Sequence, residues 1–317
     1  MTGEFDFIRY IKKSFALKAI GDDCAILPKD DRSDLIVTAD LLVEDVDFKV
    51  DWASPEDLGH KALAVSLSDI AAMGGTPVWE MLTVGVPGKL WETDFVKRFY
   101  DGWNDLAAEF RVELVGGDIS RSPDRFVVDS IVGGEVPKGK AVLRSGARPG
   151  DAIFVSGSLG GAAGGLRLLD SVVSRDAKEE WHKRLIERQL RPTPRIELGR
   201  WLLTNSIASA MIDISDGLSS DLGHICGASG VGAELDAASV PVDVDLKHLV
   251  GPDETLLLAL HGGEDFELLF TVAGEKLSLL KNRDVTRIGT VTENVGTVQL
   301  SDGERTIDLQ PFGYRHF

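Results

Sequence analysis

Residues 54–75 read SPEDLGHKALAVSLSDIAAMGG, and this stretch decides the fold class. Ser54 in the capping position, Pro55 in the first turn and Asp57 three residues after the cap form a start signal for a helix. The mostly apolar run that follows predicts that the helix continues to Met73, where a glycine pair stops it. Predicted helices such as this one, mixed with predicted strands, indicate an α/β or α+β protein.

Apolar segments on both sides of this helix predict buried strands. One covers residues 34–39 (DLIVTA), and the other covers residues 126–132 (FVVDSIV) and is expected to end at Gly133. A second helix is predicted for residues 92–110. Strands and helices alternate again in the second half, so the predicted class is α/β (α+β) throughout.

The length of 317 residues favours two domains. The turn-rich segment RSGARPGD at residues 144–151 marks the predicted boundary, which gives domains at 1–145 and 146–317. With 34 basic and 51 acidic residues the formal net charge is −17, which argues against nucleic acid or anionic lipid as a partner. No apolar run approaches the ~20 residues of a membrane helix, and a cytoplasmic protein is expected.

A glycine-rich segment at residues 157–165 (GSLGGAAGG) follows a predicted strand and opens a helix. Its glycines do not have the spacing of a dinucleotide-binding loop, because the second and third fall three and four residues after the first. We therefore predict a tight turn between strand and helix, without a bound cofactor.

Carboxylates recur beside glycine or at the ends of apolar runs. Asp40 ends a predicted strand, Asp69 lies in the apolar helix, and Asp213 follows another apolar run, so all three are expected to lie at least partly inside. Taken singly, each acid would also suit a helix cap or a turn. Together they predict a site for several Mg²⁺ ions around a polyphosphate such as ATP, and hence phosphoryl transfer.

In their order along the chain, these segments resemble the thiamine-monophosphate kinase family. The resemblance is carried by residues 21–25 (GDDCA), 38–40 (TAD), 61–74 (KALAVSLSDIAAMG), 116–118 (GGD), 144–151 (RSGARPGD), 191–195 (RPTPR), 212–218 (IDISDGL), 262–268 (GGEDFEL) and 313–317 (GYRHF). It spans nearly the whole chain. The combination is specific, although single segments such as GGD are not.

The resemblance implies an Mg²⁺-dependent enzyme that moves the γ-phosphate of ATP directly onto thiamine monophosphate. It also implies an N-terminal α/β domain that pairs with its twin in a homodimer, and a C-terminal α+β domain that covers the nucleotide cleft. The wider superfamily includes aminoimidazole ribonucleotide synthetase and selenophosphate synthetase. Two alternatives stay open: a sibling enzyme that cleaves ATP with another acceptor, and a non-catalytic ATP and Mg²⁺ sensor or scaffold.

Carried over residue by residue, the resemblance implies three sets of site residues. The metal ligands are Asp23, Thr38, Asp40, Asp69, Asp118, Asp213 and Asp216. The ATP contacts are Gly117, Asp118, Arg144 and Ser215. The substrate contacts are Asp47, Glu264, Tyr314 and Phe317. No covalent nucleophile is expected.

The chain departs from the family pattern at two positions. Ala39 stands where the family usually carries a second Thr or Ser, so a side-chain metal contact is lost there. Asp47 stands before Phe48, where the family usually has a His that it uses on the substrate. A carboxylate cannot donate a hydrogen bond as an imidazole does.

Overall fold

The computed structural model describes residues 4–17, 19–171 and 179–314. The first half contains a sheet with the strands β1 (Ala25–Pro28), β2 (Ser33–Val43), β3 (Thr76–Pro87), β4 (Glu113–Ser122) and β5 (Val127–Pro137). Their order is β1-β2-β5-β3-β4, with β3 and β4 parallel and the other neighbours antiparallel. The helices of this half are α1 (Glu4–Ser14), α2 (Pro55–Ala72), α3 (Gly88–Trp91) and α4 (Phe95–Phe110).

The second half contains a larger sheet. Its strands are β6 (Ala152–Ser156), β7 (Ala208–Asp213), β8 (Gly232–Asp236), β9 (Leu268–Val272), β10 (Val285–Thr292), β11 (Val298–Ser301) and β12 (Thr306–Asp308), in the order β12-β11-β8-β10-β6-β9-β7. Its helices are α5 (Gly161–Asp170), α6 (Glu180–Leu190), α7 (Ile196–Thr204), α8 (Leu218–Ser229) and α9 (Pro252–His261). The predicted fold class is confirmed. The boundary at residue 145 falls between β5 and β6 and stays a prediction.

Helix α2 begins with the predicted capping box. The Asp57 backbone N–H donates to Ser54 Oγ at 3.2 Å, and the Ser54 backbone N–H donates to the Asp57 carboxylate at 3.1 Å. Two glycines let α2 and α4 approach backbone to backbone: a Cβ on Gly59 would lie 1.9 Å from a carbonyl oxygen of α4, and one on Gly102 would lie 2.0 Å from a carbonyl oxygen of α2. Any larger residue would push the two helices apart.

Helix α2 also joins the two halves. It packs on β2 and β5 of the first sheet and on α7 and β7 of the second half. One continuous apolar core therefore includes Met73 after α2, Leu203 on α7 and Phe270 on β9. The halves are fixed against each other by this core, which lets a site draw residues from both. None of the helices in the described residues is long and apolar enough to cross a membrane.

Three predicted boundaries were wrong. Strand β2 does not end at residue 39 but continues to Val43, so Asp40 lies within it. Strand β5 does not end at Gly133 but continues to Pro137, because the glycine makes room for a neighbour: a Cβ there would lie 2.2 Å from the ring of Trp79. The second helix begins at Phe95, not Glu92, since residues 88–91 form the separate short helix α3.

The glycine-rich segment at residues 157–165 is a strand-to-helix turn between β6 and α5, as predicted. Gly157 (φ 52°) and Gly160 (φ 84°) adopt the left-handed conformation that glycine tolerates. The carboxylate of Asp265 accepts hydrogen bonds from the backbone N–H groups of Gly160 at 2.6 Å and Ala162 at 3.1 Å. A side chain of the protein itself therefore satisfies the start of α5.

Candidate metal centre and adjoining cavity

Buried carboxylates from both halves meet beside α2. Carboxylate oxygens of Asp23, Asp69 and Asp213 lie within 4.8 Å of one another, and Asp40 on β2 is close enough to couple electrostatically with Asp69 and Asp213. We call these four residues the acid cluster. Asp23 follows α1, Asp69 lies on α2, and Asp213 ends β7. The expectation that Asp40, Asp69 and Asp213 lie at least partly inside is confirmed.

Hydroxyl groups support the acid cluster. Thr38 donates to Asp69, Ser66 Oγ donates to Asp40 at 2.6 Å, and Ser68 Oγ donates to Asp213 at 2.6 Å. Ser66 and Ser68 lie on α2, so this helix both supplies one carboxylate and orients two others. The sequence signal for these serines was their position in an otherwise apolar helix, and the sequence interpretation missed them.

Burial is the main cause of raised pKa values in the acid cluster, and neighbouring carboxylates add to it. The pKa of Asp23 is raised to about 7, and those of Asp40 and Asp213 to about 6. The pKa of Asp69 is raised well above its usual range by burial and then by Asp40 and Asp213. A bound cation would remove both penalties, because it compensates for the lost hydration and screens the repulsion.

The donor set fits a hard divalent cation. The Oδ2 atom of Asp23 is buried and has no hydrogen-bond partner among the described residues. The groups that converge are carboxylates and a threonine hydroxyl, the oxygen ligands that Mg²⁺ prefers. The residues present therefore fit Mg²⁺.

Arg144 donates hydrogen bonds to the acid cluster through Asp23. Its Nε and Nη2 atoms donate to Asp23 Oδ1 at 3.1 and 2.5 Å, and its backbone N–H donates to Asp22 at 2.7 Å. The guanidinium balances one carboxylate of the four, so the cluster keeps an excess of negative charge.

A second group of possible ligands lies next to the first. Asp216, Asp221 and His224 bring their ligand atoms within 4.8 Å of one another. Asp221 and His224 are three residues apart on α8 and so share one face of the helix. Burial, and then the charge of Arg144, lowers the pKa of His224 to about 4, which keeps the imidazole neutral. The spacing of three residues between Asp221 and His224 was a sequence signal for this second group, and sequence reasoning missed it.

Gly117 and Asp118 belong to neither of these two groups. They sit on β4, at the edge of the first sheet, and both are exposed. Gly117 (φ 141°) passes so close to β3 that a Cβ would lie 2.0 Å from the Leu82 carbonyl oxygen. Neither group of ligand atoms found among the described residues includes Asp118, and its role as a metal ligand stays a prediction.

A cavity of about 580 Å³ adjoins the acid cluster. Asp40 belongs to both, and Ser215 and Asp216 line the cavity from the second half. The wall is rich in aromatic side chains and carboxylates. The aromatic residues are Phe48, Trp52, Phe266, Phe312 and Tyr314, and the other acidic residues are Asp45, Asp47 and Glu264. Such a wall suits a flat, cationic ligand.

The structure shows what holds the predicted substrate contacts. Asp47 accepts a hydrogen bond at 2.8 Å from the backbone N–H of Val43, within its own turn. Tyr314 is half exposed, and its backbone N–H donates to the backbone carbonyl oxygen of Asp216 at 3.1 Å. Phe317 lies outside the described residues.

Glu264 is held by a buried ion pair. Its Oε1 lies 2.8 Å from Nζ of Lys61, whose side chain is 2% exposed, and its other oxygen accepts a hydrogen bond from Gln189. The backbone of Glu264 is left-handed (φ 65°), and its N–H donates to the backbone carbonyl oxygen of Ser215 at 2.8 Å. Sequence reasoning missed Lys61, although a single lysine in an apolar stretch of α2 was the available signal.

Comparisons with known proteins agree with this architecture. Residues 21–136 match the family model "AIR synthase related protein, N-terminal domain", and residues 148–301 match "AIR synthase related protein, C-terminal domain". The chain is 40% identical over 326 residues to the thiamine-monophosphate kinase of Bacillus subtilis (strain 168), with 99% of both chains covered. It is 40% identical over 321 residues to that of Escherichia coli (strain K12), with 99% of this chain and 95% of the relative covered.

A solved structure described as "AaThiL complexed with AMPPCP and TMP" has a similar fold. The TM-score is 0.89 at 38% sequence identity, and the match covers 99% of this chain and 97% of that chain. A crystal structure of thiamine-monophosphate kinase from Stenotrophomonas maltophilia K279a matches with a TM-score of 0.78 at 39% identity, over 95% of this chain and 97% of that chain.

Proposed function

The chain belongs to the thiamine-monophosphate kinases, a family within the AIR synthase related proteins, and on this premise we propose that it transfers the γ-phosphate of ATP to thiamine monophosphate. The products are thiamine diphosphate and ADP. The observation that carries the proposal is the convergence of buried carboxylates from both halves at the wall of an aromatic, acidic cavity. Both reactants have a place there, namely a metal-bound polyphosphate and a flat cationic acceptor.

Mg²⁺ is the proposed metal. The residues that would hold it are Asp23, Thr38, Asp40, Asp69, Asp213 and Asp216, while Asp118 is proposed on the family resemblance alone. When bound, Mg²⁺ neutralises phosphate charge and orients the phosphate oxygens. The part of the chain itself is to fix the carboxylates, through Ser66, Ser68 and Thr38, in the positions where several can share a cation.

ATP is proposed to contact Gly117, Asp118, Arg144 and Ser215. A guanidinium suits phosphate oxygens because its N–H groups are planar and permanently charged. Arg144, bonded to Asp23, would link the nucleotide to the acid cluster. Thiamine monophosphate is proposed to contact Asp47, Glu264, Tyr314 and Phe317, with Glu264 facing the thiazolium cation.

Transfer is proposed to be direct, without a phosphoenzyme. Ser219 does form a hydrogen bond to His261 at 2.8 Å, which is the arrangement of an activated nucleophile. Ser219 is, however, 1% exposed and does not line the cavity, so ATP cannot reach its hydroxyl. A labelled phosphoprotein formed from ATP alone would contradict direct transfer.

A homodimer is also proposed, and the exposed edge of the first sheet supports it. Every residue of β4 from Glu113 to Arg121 is exposed, and Leu114, Val115 and Ile119 are 40 to 50% exposed. An uncovered apolar edge strand invites pairing with another strand. A second copy of this chain would cover it. Sedimentation equilibrium of the wild type and of Val115→Lys tests this; the variant is expected to be monomeric, and a monomeric wild type contradicts the proposal.

The function is tested by mixing the protein with ATP, Mg²⁺ and thiamine monophosphate and following both products by chromatography. Thiamine diphosphate and ADP are expected in equal amounts. ADP without thiamine diphosphate would indicate another acceptor. Nucleotide binding without either product would indicate a sensor.

A further inference from the structure

His261 occupies a defined place in the cavity wall. It is the last residue of α9, and its Nδ1 atom lies 2.8 Å from Oγ of the buried Ser219 in the first turn of α8. Its ring also meets the ring of Phe312 edge to face, with centroids 5.6 Å apart. Two independent contacts therefore fix both the position and the rotation of the imidazole.

The hydrogen bond to Ser219 uses one ring nitrogen and leaves the other. No described residue forms a hydrogen bond with Nε2 of His261. If Ser219 donates to Nδ1, Nε2 carries the proton and donates; in the other tautomer Nε2 accepts. Burial lowers the pKa of His261, which favours the neutral ring.

Like the hydroxyls of Ser215 and Tyr314, a neutral imidazole can both donate and accept hydrogen bonds, which the charged groups of this wall cannot. Ionised carboxylates such as Asp47 and Glu264 can only accept hydrogen bonds, and the ammonium of Lys49, which lies 4.1 Å from the ring centroid of Trp52, can only donate. A metal-bound phosphate has charged partners in the acid cluster. A neutral ring beside Phe312 instead matches an uncharged heteroaromatic ring with both donors and acceptors.

We propose that His261 is a substrate-specificity residue whose Nε2 atom forms a hydrogen bond with the aminopyrimidine ring of thiamine monophosphate, and that Ser219 is its positioning residue. This rests on the proposed function and deepens it. The aminopyrimidine carries ring nitrogens that accept and an amino group that donates, so either tautomer of His261 finds a partner. The aromatic wall at Phe312 holds the ring from its edge.

Two substitutions separate the two nitrogens of the imidazole. In His261→Asn the side-chain amide reaches the position of Nδ1 and keeps the bond to Ser219 but loses the substrate contact. In His261→Gln the amide reaches the position of Nε2 and keeps the substrate contact. His248→Asn, at an exposed histidine outside the cavity, is the matched control.

We expect His261→Asn to raise KM for thiamine monophosphate about tenfold, the effect of one hydrogen bond, with KM for ATP unchanged. His261→Gln should stay within about threefold of the wild type, and Ser219→Ala should fall between the two because the ring is present but loosely held. The control should leave both KM values as they are. Thermal unfolding of each variant checks that the fold is retained.

A substrate analogue with an oxo group in place of the pyrimidine amino group identifies the contact. The wild type is expected to prefer thiamine monophosphate over this analogue, and His261→Asn to lose most of that preference. If His261→Asn keeps both the wild-type KM and the wild-type preference, the assignment is overturned while the kinase function stands. If the wild type forms no thiamine diphosphate, it is the proposed function that fails.

Discussion

Two clusters of buried carboxylates differ in the groups that compensate their negative charge. In the second half, Glu267 is 1% exposed and is bonded to Arg195 at 2.6 Å, to Arg188 at 3.2 Å and to Ser156 at 2.5 Å. Arg188 also lies 3.6 Å from Asp265, whose carboxylate accepts two backbone N–H groups. This arginine-paired cluster has two guanidinium groups for its two carboxylates, although burial still raises the pKa of Asp265 to about 7.

The acid cluster is not balanced in this way. Of its four carboxylates, only that of Asp23 forms a hydrogen bond with a described guanidinium, that of Arg144, and the other oxygen of Asp23 has no described hydrogen-bond partner. A protein tolerates such an excess of buried charge at a cost in stability, and metal binding is the direct means of compensating it. The two clusters therefore differ in the number of cations around the buried acids more than in the number of acids.

Substitution of Asp69, in the acid cluster, is expected to have the largest effect. Asp69→Asn is expected to lower kcat/KM about 10³-fold, equivalent to roughly 4 kcal/mol in the barrier, because a metal ligand is lost. The same change should raise the unfolding free energy of the metal-free protein by about 1 kcal/mol, because it removes the cost of burying an ionisable carboxyl and then its repulsion by Asp40 and Asp213. Steady-state kinetics and urea unfolding measure the two effects.

Asp101→Asn, at an exposed acid on α4, is the control for Asp69→Asn and should change neither quantity appreciably. Unchanged turnover in Asp69→Asn would remove Asp69 from the site.

The arginine-paired cluster should respond with the opposite sign in stability. Glu267→Gln leaves two arginines without their shared carboxylate and is expected to cost about 3 kcal/mol of unfolding free energy. Urea unfolding measures it. A stabilising effect like that of Asp69→Asn would show that the two clusters do not differ as described.

Metal binding should act on the acid cluster and its neighbour Asp216, and not on the arginine-paired cluster. Saturating Mg²⁺, at about a hundred times its dissociation constant, is expected to stabilise the wild type by ~2.7 kcal/mol, or about 5 °C in thermal unfolding. Asp69→Asn should lose most of this shift, and a chelator should reverse it in the wild type. A full shift in the variant would place the bound metal elsewhere.

Glu80 is a buried acid that belongs to neither cluster, and its hydrogen-bond donors are neutral side chains. Ser130 donates to it at 2.7 Å and Trp103 donates to its other oxygen, and burial raises its pKa to about 7. An acid with a raised folded pKa binds more protons when folded, so its contribution makes stability fall as pH rises from about 4.5 to about 7.

We expect the wild type to lose up to ~1.4 kcal/mol per pH unit more than Glu80→Gln in that window. Urea unfolding at pH 5, 6 and 7 gives the difference between the two slopes. Parallel slopes would mean that Glu80 does not titrate there.

Much of the site could be predicted from local sequence. Asp40 lies within an apolar strand, Asp213 ends one and Asp69 interrupts an apolar helix. Such positions are forced inward with the elements that carry them. The ion pair between Lys61 and Glu264 could not be predicted, because it joins the two halves and depends on how α2 packs. The same holds for Ser219 and His261, which meet because α8 and α9 are neighbours.

Local sequence was enough to predict the types of the elements, the inward position of the acids and, through the family motifs, the kind of chemistry. Periodicity, caps and turn residues act over a few residues, so they can be read without the fold. Which acids are paired with arginine, and which have few cations near them, depends on the tertiary fold. Charge compensation depends on distances across the whole chain, and packing alone sets those distances.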